Sequence, residues 1–364
     1  MGQEIVDCRF AIVDWKAHYN IRTRVLPLCK ERSSAIGNRQ STIDNRQSTI
    51  GNRQLTITRQ STIDNRQSLR EGLRGILLPF TTPFATNEEI DLAGLRKNLR
   101  AWNETGIKGY VALGSTGERV NLDEREYVLV VETAREEVPT TLTFIVGAGQ
   151  QSTRGTIAEI KRAALAGADA VLVLTPHFYR AAITQEELGI HFMAVADSSP
   201  LPVLLYSMPV LTGIKIEPAT VARLSEHPNI LGIKDSSADV EGLGRTVEMV
   251  SRGFAVLTGN GTVLCEALQA GAQGGVLAVG CVAPRLCLEI FRAIKSGEED
   301  TAAKLQRTLT PVASAVTTLY GIGGLKAAMD LLGYSGGAVR APLKAPDEPA
   351  RKEIASLLHA AHLM

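Results

Sequence analysis

Eight short apolar runs, separated by segments with helical patterns, constrain the fold of this chain more than any other feature. Each run has four or five residues with almost no polar interruption, which is typical of parallel strands that are covered by helices. The runs begin at residues 75, 109, 143, 170, 203, 230, 255 and 274. Eight strand–helix units over roughly 220 residues predict an α/β fold, a closed (β/α)8 TIM barrel.

The segments between the runs carry helix signals. Residues 153–166 stop at Gly167, a residue type that commonly ends helices. Thr184, followed by Glu187, has the pattern of a capping box. A doubly wound open sheet is the alternative fold, but no Gly-x-Gly-x-x-Gly follows the first run, where a dinucleotide site would need it. Residues 299–364 have no strand-like run, so we expect two or three further helices there.

The first 70 residues are of a different kind. Residues 38–68 repeat the unit Asn-Arg-Gln-Ser-Thr-Ile-Asp with a period of mostly seven residues. Each unit has about one apolar residue, whereas a coiled-coil heptad needs two. Such a tract buries too little apolar surface to offset its chain entropy, and we expect it to be disordered.

Charge supports the same division of the chain. Residues 1–74 carry 13 Lys and Arg against 7 Asp and Glu, a net charge of +6, so the remainder carries −5 of the total +1. We therefore expect a low-complexity extension at residues 1–70, a barrel at 71–298 and C-terminal helices at 299–364. The extension is either translated repeat DNA without function, in which case a chain that starts near Leu69 keeps full activity, or a basic interaction tail.

Composition argues against several classes of function. The small net charge lacks the basic bias of nucleic-acid binding, and no apolar run reaches the roughly 18 residues of a membrane span. Residues 1–29 lack the apolar region of a signal peptide. The 5 cysteines and 6 histidines are scattered, without a Cys-x-x-Cys or His-Glu-x-x-His motif. We expect reduced thiols, a cytoplasmic location and no metal site.

One lysine points to covalent chemistry. Lys234 lies at the end of the sixth run, Ile-Leu-Gly-Ile-Lys-Asp. A buried strand end disfavours the charged ammonium, and an amine that is partly uncharged can attack a carbonyl carbon and form a Schiff base. The alternative is a lysine that only extends from the strand tip into solvent.

Other polar residues follow the runs at the end where barrel enzymes carry their active groups. Tyr206 ends the fifth run, and its phenol would face the same pocket as Lys234 and move protons for it. Residues 114–117 would leave backbone N–H groups exposed to a carboxylate. The simpler interpretations are that Tyr206 is an ordinary core tyrosine and that residues 114–117 form a plain strand-to-helix turn. We expect Glu118 to be structural and buried, and His177 to be a loop histidine.

Three motifs, taken together, resemble the dihydrodipicolinate synthase / N-acetylneuraminate lyase superfamily over about residues 75–350. They are Gly-Ser-Thr-Gly-Glu at 114–118, Leu-Leu-Tyr-Ser-Met-Pro at 204–209 and Gly-Ile-Lys-Asp at 232–235. The family consists of Schiff-base lyases and aldolases on a (β/α)8 barrel with a C-terminal helical tail. The resemblance implies a small 2-oxo acid substrate such as pyruvate, held as a covalent lysine imine without a further cofactor, and a homotetramer.

The resemblance also implies roles for single residues. Lys234 would form the Schiff base, Tyr206 would relay protons, and Ser115 would link Tyr206 to the substrate. Thr116, with the backbone N–H groups that follow Gly114, would hold the carboxylate.

Further residues complete the expected substrate site. Gly259, after the seventh run, and Ser236 are candidate substrate-binding residues. In many relatives a tyrosine from a neighbouring subunit completes the proton relay. Here Phe178 stands at the matching position, and Tyr179, one residue on, is the candidate substitute.

Two positions narrow the choice of aldehyde partner. The dihydrodipicolinate synthases place a carboxylate-binding arginine where this chain has Leu211, which offers no bidentate contact. The neuraminate lyases carry an Asp-Glu pair after strand 7, where residues 258–263 have neither acid.

The sequence is more similar to the animal type of 4-hydroxy-2-oxoglutarate aldolase, through residues 199–209, 227–236 and 320–330, although Thr116 replaces an asparagine. We therefore expect release of pyruvate and glyoxylate, with Ser236 at the glyoxylate end. The alternatives are a 4-hydroxy-tetrahydrodipicolinate synthase or another 2-oxo acid aldolase or dehydratase of the family, and an inactive barrel that serves as a binding protein.

Overall fold

A computed structural model describes residues 66–364, and the disorder expected before residue 66 lies outside them. Eight parallel strands close into a barrel in sequence order, with β1 paired to β8. The predicted (β/α)8 barrel is confirmed. The strands are β1 Ile76–Pro79, β2 Gly109–Ala112, β3 Thr143–Ala148, β4 Ala170–Leu174, β5 Val203–Ser207, β6 Ile230–Asp235, β7 Ala255–Thr258 and β8 Gly274–Val276.

Helices separate the strands and cover the barrel. The capping box predicted at Thr184 is present. A second capping box, formed by Asp123 and Glu126, starts another helix at Glu124, after a 3-10 turn at residues 119–121. The helices are α1 Leu92–Asn103, α2 Glu124–Glu137, α3 Thr153–Leu165, α4 Gln185–Ser198, α5 Pro209–Thr212, α6 Pro218–Ser225, α7 Val240–Met249, α8 Leu264–Gln269 and α9 Pro284–Lys295.

Three helices follow the barrel, as the sequence predicted. They are α10 Glu299–Ser314, α11 Gly321–Leu331 and α12 Glu348–Ala360, and a π-helical turn at Ala315–Leu319 joins the first two. Within residues 66–364, no helix has both the length and the apolar character needed to cross a membrane.

A helical segment at residues 66–72 lies across the amino-terminal end of the barrel. Leu69 and Leu73 are buried in the same apolar cluster as the inward-facing strand residues. Arg66 donates hydrogen bonds to the Pro228 carbonyl and the Asn229 side chain, just before β6. The domain boundary predicted near residue 70 therefore falls inside a segment that packs against the barrel.

Candidate active site

The carboxyl ends of β2, β5 and β6 bring three of the predicted residues together. Tyr206 and Lys234 are register partners on adjacent strands. The Lys234 Nζ donates a hydrogen bond to the Tyr206 hydroxyl at 3.3 Å and lies 4.3 Å from the centre of its ring. The Ser115 Oγ lies 3.0 Å from the same phenol oxygen. The structure thus contains a continuous amine–phenol–hydroxyl chain.

Burial and charge act in opposite directions on Tyr206. Burial raises the pKa of the phenol, but the nearby Lys234 charge and the hydrogen bond with Ser115 outweigh it, so that the pKa falls below its ordinary value of 10.0. A phenol with a lowered pKa releases its proton more readily. Tyr206 is therefore suited to exchange protons with the groups on either side of it.

The loop at residues 113–118, here called the β2 loop, has a strained backbone. Leu113 and Glu118, at its two ends, have left-handed φ values of 52° and 54°, which cost residues with a side chain roughly 1–2 kcal/mol each. Gly147 on β3 makes room for the turn, because a Cβ there would lie 2.1 Å from the Leu113 carbonyl oxygen. The loop is held in a conformation that its own residues do not favour.

The β2 loop offers free backbone donors beside the phenol. The N–H groups of Gly117 and Glu118 donate to carbonyls within the turn. Those of Ser115 and Thr116 donate to no acceptor within the described part of the chain. Two adjacent free N–H groups suit a carboxylate, and Gly114 and Thr116 are buried at this point. The predicted carboxylate-binding residues therefore lie next to Tyr206.

Gly259 and Ser236 also lie close to Lys234. A Cβ on Gly259 would be 1.8 Å from the Ser236 Oγ and 2.7 Å from the Lys234 Cε, so only glycine fits here without displacing them. The buried Ser236 hydroxyl makes no hydrogen bond of ordinary geometry among residues 66–364, although it lies near enough to the Tyr206 phenol to help lower its pKa. An unpaired buried hydroxyl costs about 1–3 kcal/mol, which an oxygen of a bound substrate would recover.

Four positions considered in the sequence lie outside this cluster. Phe178 and Tyr179 are 73% and 70% exposed and pack edge-to-face against each other. Tyr179 makes no side-chain hydrogen bond with the rest of the described chain, so a single subunit does not bring it to Tyr206. His177 contacts Gln151 on the rim, as expected for a loop histidine. Leu211, on α5, is 61% exposed.

The sequence did not reveal the partner of Glu118. The expectation that Glu118 is buried and hydrogen-bonded is confirmed. Its carboxylate also forms an ion pair, at 2.5 Å, with Lys326 of α11. The two residues lie far apart in the sequence, and no motif or periodicity connects them.

The cysteines that the structure describes take no part in the cluster. Cys265, Cys281 and Cys287 are buried free thiols, and burial raises the pKa of each of them. Cys8 and Cys29 lie outside the described residues. Between residues 66 and 364, no group of three or more His, Cys, Asp or Glu side chains is placed to hold a metal ion.

Comparisons with known proteins agree with this geometry. Residues 72–361 match the model of the dihydrodipicolinate synthetase family. The chain is similar to the 4-hydroxy-tetrahydrodipicolinate synthase of Methanothrix thermoacetophila, with 36% identity over 273 residues, which is 74% of this chain and 90% of the relative.

Two crystal structures have the same fold. Dihydrodipicolinate synthase from Bacillus anthracis is similar with a TM-score of 0.76 and 31% identity, over 79% of this chain and 98% of that one. A prophage protein of the dihydrodipicolinic acid synthase family from E. coli K12, in complex with pyruvate, gives a TM-score of 0.75 and 30% identity, over 80% and 99%.

Proposed function

The chain belongs to the dihydrodipicolinate synthetase family of Schiff-base lyases and synthases, and we propose that Lys234 forms the Schiff base with pyruvate. The single observation that carries this proposal is the buried hydrogen-bonded chain from Lys234 through Tyr206 to Ser115. It supplies a nucleophilic amine and, next to it, a group that can give and take protons.

The proposed steps use these three side chains. The Lys234 Nζ attacks the keto carbon of pyruvate and forms a carbinolamine. Tyr206 gives a proton to the departing hydroxyl, water leaves, and the iminium forms. The deprotonated Tyr206 then takes a methyl proton to give an enamine, whose terminal carbon attacks the aldehyde carbon in the synthetic direction and leaves an alkoxide that Tyr206 protonates. The reverse reaction releases the aldehyde. Ser115 passes protons between Tyr206 and the substrate.

The remaining site residues are proposed to bind substrate. The N–H groups of Ser115 and Thr116, together with the Thr116 hydroxyl, would hold the pyruvate carboxylate beside Gly114. The Ser236 hydroxyl would donate a hydrogen bond to the aldehyde-derived oxygen, in the space that Gly259 leaves open. The pyruvate complex of the E. coli relative supports a 2-oxo acid in this position.

The aldehyde partner separates two candidate functions. The names of the relatives favour the alternative from the sequence, 4-hydroxy-tetrahydrodipicolinate synthase, and we take it as the first candidate, with aspartate semialdehyde as the aldehyde that would be joined to pyruvate. One observation favours 4-hydroxy-2-oxoglutarate aldolase as the second. The rim position at which the synthases carry an arginine is occupied by the exposed Leu211, which cannot bind the carboxylate of aspartate semialdehyde.

We also propose that the protein is a homotetramer. The exposed aromatic pair Phe178 and Tyr179 supports burial by a neighbouring subunit, which is also the only route by which Tyr179 would join a proton relay. Light scattering that gives the mass of a monomer would contradict this assembly. A cytoplasmic location stays a prediction from the sequence.

Borohydride trapping tests the Schiff base. Pyruvate with borohydride should add one pyruvate-derived mass per chain, on Lys234, and none to Lys234→Ala. Absence of this adduct from the wild-type protein would remove the proposal.

Parallel assays then separate the two aldehyde partners, one with pyruvate and aspartate semialdehyde and one for glyoxylate released from 4-hydroxy-2-oxoglutarate. Leu211→Arg should favour aspartate semialdehyde, whereas Val210→Arg, at the neighbouring exposed position, should not.

A further inference from the structure

Lys326 is a buried charge outside the barrel that the proposed reaction does not use. It lies on α11, only 1% exposed, with its Nζ 2.5 Å from the Glu118 carboxylate and 4.4 Å from the centre of the Phe84 ring. The same amine donates to the Ala338 carbonyl at 2.5 Å. Burial lowers the pKa of Lys326 even though Glu118 opposes the shift. A pair this deeply buried is costly to desolvate and is weak evidence of a role in stability.

Glu118 connects this pair to the β2 loop. Its backbone is left-handed, a conformation that persists only where the surroundings hold it. Its carboxylate accepts hydrogen bonds from the Asn121 amide and the Arg340 backbone N–H, both at 3.2 Å. The Glu118 backbone N–H donates to the Ser115 carbonyl at 3.1 Å. Lys326 thus pairs with Glu118, and Glu118 is hydrogen-bonded to Ser115, whose side chain contacts the Tyr206 hydroxyl.

We propose that Lys326 is a positioning residue, which fixes the Ser115 hydroxyl against Tyr206 by anchoring Glu118 to the C-terminal helices. This inference rests on the proposed role of Tyr206 and Ser115 in proton transfer. It assigns the C-terminal helices a part in catalysis: they hold the β2 loop in its strained conformation from outside the barrel.

The proposal separates two steps of the reaction. Lys326 makes no contact with Lys234, so the Lys326→Met variant should still reach one borohydride-trapped pyruvate per chain at saturating pyruvate. The proton relay depends on Ser115, so kcat should fall roughly 10-fold to 100-fold, as expected when a catalytic group moves by about 1 Å. A wild-type protein that traps no pyruvate would refute the proposed function, whereas normal trapping with unchanged kcat in Lys326→Met would refute only the positioning role.

A second variant distinguishes positioning from stability. In the Glu118→Gln, Lys326→Met double variant no unpaired charge is buried, so the Tm should recover towards the wild-type value, but the tether is still missing and kcat should stay low. A kcat that recovers together with the Tm would overturn the proposal. If Lys326→Met does not fold, the double variant carries the test alone. Leu325→Ala, a fully buried apolar truncation on the same helix, should lower the Tm and leave kcat unchanged.

Discussion

Replacing Gly259 by alanine should slow imine formation at Lys234 about 100-fold. The added Cβ would lie 2.7 Å from the Lys234 Cε and 1.8 Å from the Ser236 Oγ, whereas carbon atoms in contact are about 3.5–4.0 Å apart. The Lys234 Cε must therefore move by about 1 Å. A displacement of that size at a reacting group costs on the order of 100-fold in rate, which corresponds to about 2.7 kcal/mol of activation free energy.

The assay follows the mass of the borohydride-trapped adduct against time at saturating pyruvate. The Gly259 backbone is outside the left-handed region, so the effect is steric and not conformational. Gly244→Ala is the matched control, because its new Cβ would meet only Ala270, at ordinary distances of 3.7 Å from the Cβ and 3.9 Å from the carbonyl oxygen. It should trap at the wild-type rate and be as stable or more stable by about 0.5–1 kcal/mol, since alanine favours helix. Trapping by Gly259→Ala at the wild-type rate would refute the view that this glycine forms the pocket wall.

Three further predictions follow. Tyr206→Phe, which keeps the ring and removes the hydroxyl, should lower kcat about 100-fold to 10,000-fold while mass spectrometry still detects a slowly formed Lys234 adduct; an unchanged kcat would exclude the relay. A chain that starts at Arg66 should match the full chain in urea unfolding, whereas one that starts at Gly75 should lose about 3–6 kcal/mol as two buried leucines are removed; equal stability would contradict the observed packing. Burial lowers the pKa of His191 from 6.5 to about 4, so below pH 6.5 the unfolded chain binds a proton that the folded chain does not. The free energy of unfolding should therefore fall by up to about 3 kcal/mol between pH 6.5 and 4, and His191→Gln should remove this decline in urea titrations.

The barrel could be predicted because its strands are buried on both faces and so appear as continuous apolar runs. The contact between Tyr206 and Lys234 could be predicted as well, because both residues end adjacent parallel strands. Contacts between distant segments leave no such pattern. The sequence could show that Glu118 would be buried, but not that its partner is Lys326 on a helix beyond the barrel.

Two other features escaped prediction for physical reasons. The helical segment at residues 66–72 begins within the last unit of the low-complexity repeat, and together with the turn after it contributes only Leu69 and Leu73 to the core, which is too few residues to establish a period. The place of Tyr179 could not be predicted either, because it depends on contacts with the proposed neighbouring subunit, and the packing of one subunit against another leaves no pattern in the sequence.

The site consists of a buried floor, whose geometry the barrel determines, and an exposed rim, whose residues the barrel does not determine. Lys234 and Tyr206 are 3% exposed on paired strands, so the fold itself sets the distance between the two side chains on which the proposed imine chemistry rests. Leu211 lies on a four-residue helix and is 61% exposed, and few contacts fix its identity. The identity of 36% to a relative is therefore stronger support for the proposed imine chemistry than for the choice of aldehyde partner. Exchange of one rim residue, as in Leu211→Arg, is therefore expected to change the preferred aldehyde while the buried Lys234 and Tyr206 stay in place.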